Sequence, residues 1–364
     1  MKEETRELIR NLTEAFGPSG QEEQVRELIA SLVRPHVDGV RTDALGNLIC
    51  TRGPRRVGTA GGPAATAGRP GAAGAGTATA EAGAGGGKKV MLAAHMDEIG
   101  IMVTHIDDKG FLRFGTIGGV MPHRCLGQRV VFANGTVGVF GHEKLDDPKD
   151  LKFDKMFVDI GASSRAEAEE KVRIGDAAAF TRPLERAGNR LVAKAMDDRI
   201  GCAVLVEVAR RLGTSPHEVY FVFTVQEEVG LRGARTAAFG LAPDVAIAVD
   251  ITLTGDTPKA ETMEVSLGKG AAIKVKDASL ICHPGLRRSL EETARAHGIS
   301  YQLEILERGG TDAGAMQLTR EGVPAGVISV PCRYAHTPSE MVDEGDVEAC
   351  IELLVKALEG PLEW

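Results

Sequence analysis

The sequence of 364 residues has no run of the roughly 20 apolar residues that a membrane-spanning helix needs. Its opening segment, MKEETRELIRNLTEAF, is charged throughout and lacks the apolar core of a secretory signal. Its six cysteines are scattered without a CxxC pair, which argues against a zinc ribbon and a disulfide framework. These absences predict a protein of the reduced cytoplasm with no membrane partner.

Excess positive charge is also missing. The chain carries 43 Lys and Arg against 51 Asp and Glu, a formal net charge of -8. Such a chain has no general attraction for phosphate backbones, so we expect no nucleic-acid partner. The hydrophobic fraction of 43% is sufficient for a buried core and excludes a wholly disordered chain.

Glycine is in excess, with 45 residues in the chain. Part of this excess lies in residues 53–87, which consist mainly of Gly and Ala and contain Val57 as their one larger aliphatic residue. Such a segment cannot bury enough apolar surface to offset the entropy lost on ordering. We interpret residues 53–87 as a disordered surface insertion.

The remaining chain predicts two domains. Residues 105–188 contain short, glycine-punctuated β-like segments, with Asn134-Gly135 as a turn signal, and indicate a small all-β domain. On both sides strands alternate with helices, which predicts an α/β domain with a mixed, largely parallel sheet flanked by helices. The α/β domain would comprise residues 1–104 and 189–364, interrupted by the β domain.

The beginning of the second helix has a local sequence signal. Apolar residues from Val25 to Val33 follow the 0, 3, 4, 7, 8 spacing of one helical face. Ser19, followed three residues later by Glu22, has the pattern of a capping box. We therefore expect these two side chains to cap the helix.

Polar residues that can bind metals follow several predicted strands. Ligand sites of open α/β sheets form outside the carboxyl ends of the strands, so these side chains should meet. Imidazole and carboxylate are the usual nitrogen and oxygen ligands of zinc-like ions. The residues are His95, Asp97, Glu227, Glu228, Asp250 and His336, with Asp197 before the first helix of the second α/β segment.

The number of candidate ligands favours two ions. A catalytic zinc takes three protein ligands, whereas two ions share one bridging carboxylate. The candidate ligands are His95, Asp197, Glu228, Asp250 and His336. Asp97 would then orient His95, and Glu227 would be free to act as a general base.

Each of these residues also has an ordinary structural explanation. A strand-end histidine is more often a packing residue than a ligand, and a Glu-Glu pair is usually solvated surface. The Asp197-Asp198-Arg199 run could be a helix cap with a local ion pair. Only the joint pattern, with several polar groups at the same end of one predicted sheet, favours a metal site.

Several motifs resemble those of the M42 family of metallo-aminopeptidases. The similarity covers nearly the whole chain except residues 53–87. The motifs include AAHMDEIGIMVTHID (93–107), AKAMDDRIGCAV (193–204), TVQEEVGLRGA (224–234), GGTDAG (309–314) and RYAHTPSEM (333–341).

The resemblance implies a complete catalytic site. His95, Asp197 and Asp250 would hold one divalent ion, and Asp197, Glu228 and His336 would hold the other. It also implies Glu227 as the catalytic base and Asp97 as the partner of His95. The ions would be zinc or cobalt, two per subunit. The β domain would be PDZ-like and used for dimerisation, and the dimers would assemble into a tetrahedral dodecamer.

The leading hypothesis is therefore hydrolysis of the N-terminal residue from peptide substrates, with a water activated between two ions as the nucleophile. One alternative is an endoglucanase-type glycoside hydrolase, a label carried by some family members. That reaction uses two carboxyl groups about 5–9.5 Å apart and no metal. The other alternative is a non-catalytic scaffold stabilised by metal. The preferred N-terminal residue and the native metal are left open.

Overall fold

The computed structural model describes residues 1–55, 87–260 and 262–364. Most of the predicted disordered insertion, at 53–87, lies outside the described residues. No helix in these three ranges is long and apolar enough to cross a membrane.

Helices alternate with single strands or pairs of strands from α5 onward, whereas the preceding part of the described chain contains runs of consecutive strands. The α-helices are α1 (Glu3–Glu14), α2 (Glu23–Val33), α3 (Pro122–Cys125), α4 (Arg165–Glu169), α5 (Met196–Arg211), α6 (Arg232–Leu241), α7 (Pro284–His297), α8 (Asp312–Gln317) and α9 (Glu344–Glu359). The first strands are β1 (Gly39–Thr42), β2 (Leu48–Arg52), β3 (Lys89–His95), β4 (Gly100–Ile106), β5 (Leu112–Ile117), β6 (Arg129–Phe132), β7 (Val137–His142), β8 (Met156–Asp159) and β9 (Ala177–Phe180). The later strands are β10 (Glu185–Ala187), β11 (Arg190–Ala193), β12 (Glu218–Thr224), β13 (Val245–Thr252), β14 (Ala271–Lys276), β15 (Tyr301–Ile305), β16 (Ala325–Arg333) and β17 (Glu340–Asp343).

The larger sheet has the order β1-β2-β12-β3-β13-β16-β17-β11-β10, with β14 paired to β16 and β15 paired to β14. The central pairs β12–β3, β3–β13 and β13–β16 are parallel, and long crossover segments of the chain separate the two strands of each pair. The flanking pairs are antiparallel except for β14–β15, which is parallel, and short turns make β1–β2 and β10–β11 hairpins. The predicted α/β fold with a mixed sheet flanked by helices is confirmed, and its parallel pairs are limited to the central strands and β14–β15.

Helices cover both faces of this sheet. Helices α1, α2, α5, α7 and α9 contribute to one apolar core, and α6 and α8 contribute to a second core on the other face. The central strands are therefore buried on both sides, which explains the nearly continuous apolar runs VMLAA and VAIAV. The buried sheet provides a rigid base for the residues at its carboxyl edge.

Six of the described strands form a closed barrel in the order β4-β5-β8-β7-β6-β9. Its separate core includes edge-to-face packing of Phe114 against Phe140, whose ring centroids lie 5.3 Å apart. Gly135, in the predicted turn between β6 and β7, has a positive φ of 86°. The barrel strands lie between Gly100 and Phe180, so β4 begins before residue 105, and β10 pairs in the larger sheet.

The predicted capping box of α2 is wrong. The helix begins at Glu23, and its N-cap residue Glu22 makes no side-chain capping bond. Instead, the Ser19 hydroxyl donates to Asp97 Oδ2 at 2.6 Å, and the Glu22 carboxylate accepts from the Gly20 N–H at 2.7 Å. The cause is tertiary: Pro18 lies beside Glu98 in an isolated bridge, which directs this segment toward the end of β3.

Candidate metal centre

The central parallel strands place the polar residues at their carboxyl ends side by side, at one end of the sheet. His95 ends β3 and lies opposite Thr224, the last residue of β12. Asp250 lies in β13, two residues beyond Ala248, which pairs with Ala93 two residues before His95. The register therefore places Asp250 and His95 at the same level, as the strand-end pattern predicted.

Asp197 lies between the two histidines. Its Oδ1 is 3.1 Å from His95 Nε2, and its Oδ2 is 3.2 Å from His336 Nε2. It belongs to the first turn of α5, which packs beneath β3 and β13. A carboxylate with one oxygen toward each imidazole has the arrangement that a bridging ligand requires.

The adjacent glutamates Glu227 and Glu228 face different histidines. Glu228 Oε1 lies 3.7 Å from His336 Nε2, whereas Glu227 Oε2 lies 3.8 Å from His95 Nε2. Both backbone N–H groups donate to Asp97, at 2.9 Å from Glu227 and 3.2 Å from Glu228. Asp97 therefore holds the turn that orients the two glutamates.

Asp97 also lies beside His95. The Nδ1 atom of His95 is 3.0 Å from the Asp97 carbonyl oxygen and 3.6 Å from Asp97 Oδ1. Because a carbonyl oxygen can only accept, Nδ1 donates to Asp97 in the tautomer that would leave Nε2, the nitrogen facing Asp197, free to bind a metal. This tautomer suits a metal ligand.

Asp198 is an additional member of the cluster. Ligand atoms of His95, Asp198 and Asp250 lie within 4.8 Å of one another, as do those of His95, Asp197 and Glu228. The Asp198 carboxylate accepts from the His95 N–H at 3.2 Å and from the Gly201 N–H at 3.0 Å. The bond from the Gly201 N–H, three residues later in the chain, resembles a helix cap. A helix cap was the ordinary structural explanation considered for the Asp197-Asp198-Arg199 run.

Sequence reasoning also missed Glu340. Its buried carboxylate accepts from the His336 N–H at 2.7 Å and from the Asp197 N–H at 3.0 Å. It therefore fixes the backbones of two cluster residues. Burial raises the pKa of Glu340 to about 8. The sequence did not indicate a role for Glu340 because one of its two bonding partners, Asp197, lies 143 residues away.

The electrostatics of the cluster reflect an excess of carboxylate. Burial, followed by the nearby Asp197 charge, raises the pKa of Glu228 to about 7 and raises the pKa of Asp250 well above its usual range. Burial also raises the pKa of Glu227. Burial opposes charge on His336, but Asp197 and Glu228 raise its pKa to about 10. Divalent cations would compensate this buried negative charge.

Unpaired buried oxygens support the same conclusion. Within the described ranges, Glu228 Oε1 and Asp312 Oδ1 are buried without a hydrogen-bond partner. Asp312 begins α8, and its other oxygen accepts from the Thr224 hydroxyl at 2.5 Å. Buried carboxylate oxygens without donors are costly unless a cation balances them. The residues present therefore fit divalent ions.

Comparison with known proteins identifies the family. A family model described as M42 glutamyl aminopeptidase matches residues 74–353. The chain belongs to the M42 peptidase family. This confirms the resemblance that the sequence motifs indicated and makes the protein a peptidase, hence a hydrolase.

Similarity to individual M42 proteins extends along nearly the whole chain. A protein of Acetivibrio thermocellus, provisionally named an aminopeptidase, is 49% identical over 358 residues, which cover 98% of this chain and 99% of that protein. The structure of aminopeptidase APDkam598 from the archaeon Desulfurococcus kamchatkensis matches with a TM-score of 0.87 and 39% identity, covering 98% of this chain and 94% of that one. The Pyrococcus horikoshii TET1 peptidase, which can assemble into a tetrahedron or a large octahedral shell, matches with a TM-score of 0.79 and 31% identity, covering 97% and 99%.

A cavity of about 790 Å³ opens onto the cluster of this M42 peptidase, and we call it the inner cavity. Asp197, Glu227 and His336 reach its surface. Much of the remaining wall is uncharged and includes Leu231 and Leu253. The inner cavity therefore offers an apolar compartment directly beside the ionisable groups.

The Ser19 hydroxyl is expected to affect the turnover number of this centre through its hydrogen bond to Asp97. In Ser19→Ala, Asp97 loses its 2.6 Å donor and orients His95 and the Glu227 turn less well. We expect kcat to fall about tenfold with KM nearly unchanged, the size of effect typical for residues behind metal ligands. Steady-state kinetics at saturating metal would measure both constants.

Two further variants make that experiment specific. Ser19→Thr retains the hydroxyl and should recover most of kcat. Ser31→Ala removes a hydroxyl that donates only to the Leu28 carbonyl within α2, and it should match the wild type. Equal kcat values in Ser19→Ala and Ser31→Ala would contradict the role of Ser19.

Proposed function

We propose that this M42 peptidase removes N-terminal residues from peptides by using two divalent metal ions. The observation that carries the proposal is Asp197, whose two carboxylate oxygens lie 3.1 Å from His95 and 3.2 Å from His336. Three further features support a hydrolytic site: Glu227 lies 3.8 Å from His95, burial raises the pKa of its carboxyl group, and the apolar wall of the inner cavity lies beside it.

The proposed ligand sets share Asp197. His95, Asp197 and Asp250 would hold one ion, and Asp197, Glu228 and His336 would hold the other. The location of these side chains at one sheet edge supports the assignment. Zinc and cobalt both accept this mixture of imidazole and carboxylate. Asp198 would remain an acceptor for the His95 and Gly201 N–H groups.

Glu227 is the proposed general base. When bound, the two ions would lower the pKa of a water molecule and polarise the scissile carbonyl. The Glu227 carboxylate would accept the proton of that water and later deliver it to the leaving amine. Asp97 would hold Glu227 in place through the 2.9 Å hydrogen bond from its backbone N–H. The surplus of carboxylate would attract the α-ammonium group of the peptide.

Removal of metal tests the proposed cofactors. We expect dialysis against a chelator to abolish hydrolysis of aminoacyl p-nitroanilides and added Zn²⁺ or Co²⁺ to restore it. The thermal unfolding midpoint should also fall, because ligands that bind only the folded state stabilise it. Calorimetry and rate measurements would be made on the same samples.

The two alternative functions predict different outcomes. A glycoside hydrolase would retain its activity after chelation, since its two carboxyl groups need no ion. A metal-stabilised scaffold would lose thermal stability but would cleave no aminoacyl substrate in either state. The two histidines among the carboxylates favour the metallopeptidase over the glycosidase.

The assembly is proposed by analogy with the TET1 peptidase. The barrel would be a PDZ-like dimerisation domain, and the dimers would form a tetrahedral dodecamer. Exposed apolar side chains on barrel strands, Met102, Val137 and Val139, are consistent with such a contact. All six cysteines are buried thiols, in keeping with a cytoplasmic location. Sedimentation velocity of the full chain tests the assembly.

A further inference from the structure

A second cavity, of about 610 Å³, adjoins the inner cavity, and we call it the outer cavity. The two cavities share part of their walls, so a bound molecule can extend from one into the other. The shared residues are Arg124, Leu253, Leu306, Arg308 and Ala335. The outer cavity is lined by none of the proposed metal ligands. Whatever it binds therefore lies outside the proposed metal centre.

The wall of the outer cavity is positively charged. Three arginines, Arg124, Arg308 and Arg333, line it together with one acidic residue, Glu307. The rest of its described wall consists of uncharged side chains. This charge is opposite to that of the neighbouring metal centre, where carboxylates predominate. The outer cavity therefore suits a negatively charged group.

Two of the three arginines are already held by other groups. Arg333 makes two hydrogen bonds to Asp256, at 2.9 and 2.7 Å. Arg124 donates to the Ala335 carbonyl oxygen at 2.8 Å. These contacts fix both guanidinium groups and partly satisfy their donors.

Arg308 differs from these two residues. It is exposed, lines both cavities, and forms no salt bridge with any carboxylate of residues 1–55, 87–260 or 262–364. A guanidinium group can bind a carboxylate through two parallel N–H···O hydrogen bonds. The guanidinium group of Arg308 is therefore available to bind a carboxylate of a ligand.

We propose that the outer cavity binds the C-terminal carboxylate of short peptide substrates and that Arg308 is the binding group. The inference rests on the proposed aminopeptidase function. With the N-terminal residue at the metal centre and its side chain in the inner cavity, a short peptide would present its C-terminus to Arg308. The enzyme would then favour short peptides with a free carboxylate over long or amidated peptides.

A comparison of free and amidated peptides tests this proposal. The full-length, metal-loaded enzyme would be assayed with di-, tri- and tetrapeptides that share one N-terminal residue and end in either a carboxylate or an amide. We expect kcat/KM to favour the free acid by about tenfold at one length, as for a charge-assisted hydrogen bond. In Arg308→Gln this ratio should fall to about one, whereas Arg308→Lys should retain an intermediate ratio.

The design separates this proposal from the proposed function. The ratio is taken within each variant, so a change in overall turnover cancels. Arg235→Gln, at an exposed arginine of α6 outside both cavities, controls for loss of one positive charge and should keep the wild-type ratio. Cleavage of aminoacyl p-nitroanilides reports the aminopeptidase function independently, because these substrates have no C-terminal carboxylate.

Three results would overturn the proposal. The first is an acid-to-amide ratio near one at every length in the wild type. The second is an unchanged ratio in Arg308→Gln. The third is a preference for Asp or Glu among aminoacyl p-nitroanilides that Arg308→Gln abolishes, together with no effect of amidation on the peptides, since Arg308 would then contact the side chain of the first residue. Absence of turnover on every substrate would overturn the aminopeptidase function as well.

Discussion

Glu227→Gln is expected to lower kcat by about 10²- to 10⁴-fold while both metal ions remain bound, because an amide cannot accept the proton of the attacking water. The substitution keeps the size of the side chain, and the backbone N–H of residue 227 can still donate to Asp97. Steady-state kinetics would measure the loss, and elemental analysis of the same sample would measure metal content.

The neighbouring glutamate provides the matched control. Glu228 lies 3.7 Å from His336 and has a buried oxygen without a hydrogen-bond partner among the described residues. Glu228→Gln should therefore weaken metal binding, and excess metal should recover part of its activity. Excess metal should not rescue Glu227→Gln. Near-normal turnover in Glu227→Gln, or identical behaviour of the two variants, would refute the assignment of Glu227 as the base.

The sequence predicted much of the sheet edge because its signals are local. His95 and Asp250 each end an apolar run, and parallel strands place such ends together. Helix α2 was likewise marked by its own apolar periodicity from Val25 to Val33, and Val25, Ile29 and Val33 are buried in the structure. Features encoded within one element can be predicted from that element.

The features that sequence reasoning missed depend on contacts between distant segments. Ser19 has the local pattern of a helix cap, but its hydroxyl bonds to Asp97, 78 residues away. Glu340 receives the Asp197 N–H across 143 residues. A short polar motif therefore does not specify its partner when two partners are sterically available. The antiparallel pairs of β17 with β16 and β11 were missed for the same reason, since β17 acquires these neighbours only in the folded chain.

Asp197→Asn is expected to have the other large effect, on metal occupancy itself. Asp197 reaches both His95 and His336, so the substitution removes charge from both proposed metal sites at once. We expect the apparent affinity for Zn²⁺ or Co²⁺ to fall at least about 100-fold, the upper end of the effects produced by residues behind the ligands. Elemental analysis after dialysis should find fewer than two ions per chain, and turnover should be lost in parallel.

A second Asp→Asn substitution controls for the change in net charge. Asp244 directly precedes β13, at the amino ends of the parallel strands and so at the end opposite the metal centre. Its carboxylate accepts from the Lys89 N–H at 2.7 Å. Asp244→Asn should keep full occupancy and turnover. Circular dichroism would establish that Asp197→Asn is folded, because a folded protein without metal locates the defect in the ligand set. A folded Asp197→Asn protein that retained two ions per chain would show that Asp197 does not bridge them, and Asp198, whose ligand atom lies within 4.8 Å of those of His95 and Asp250, would become the candidate in its place.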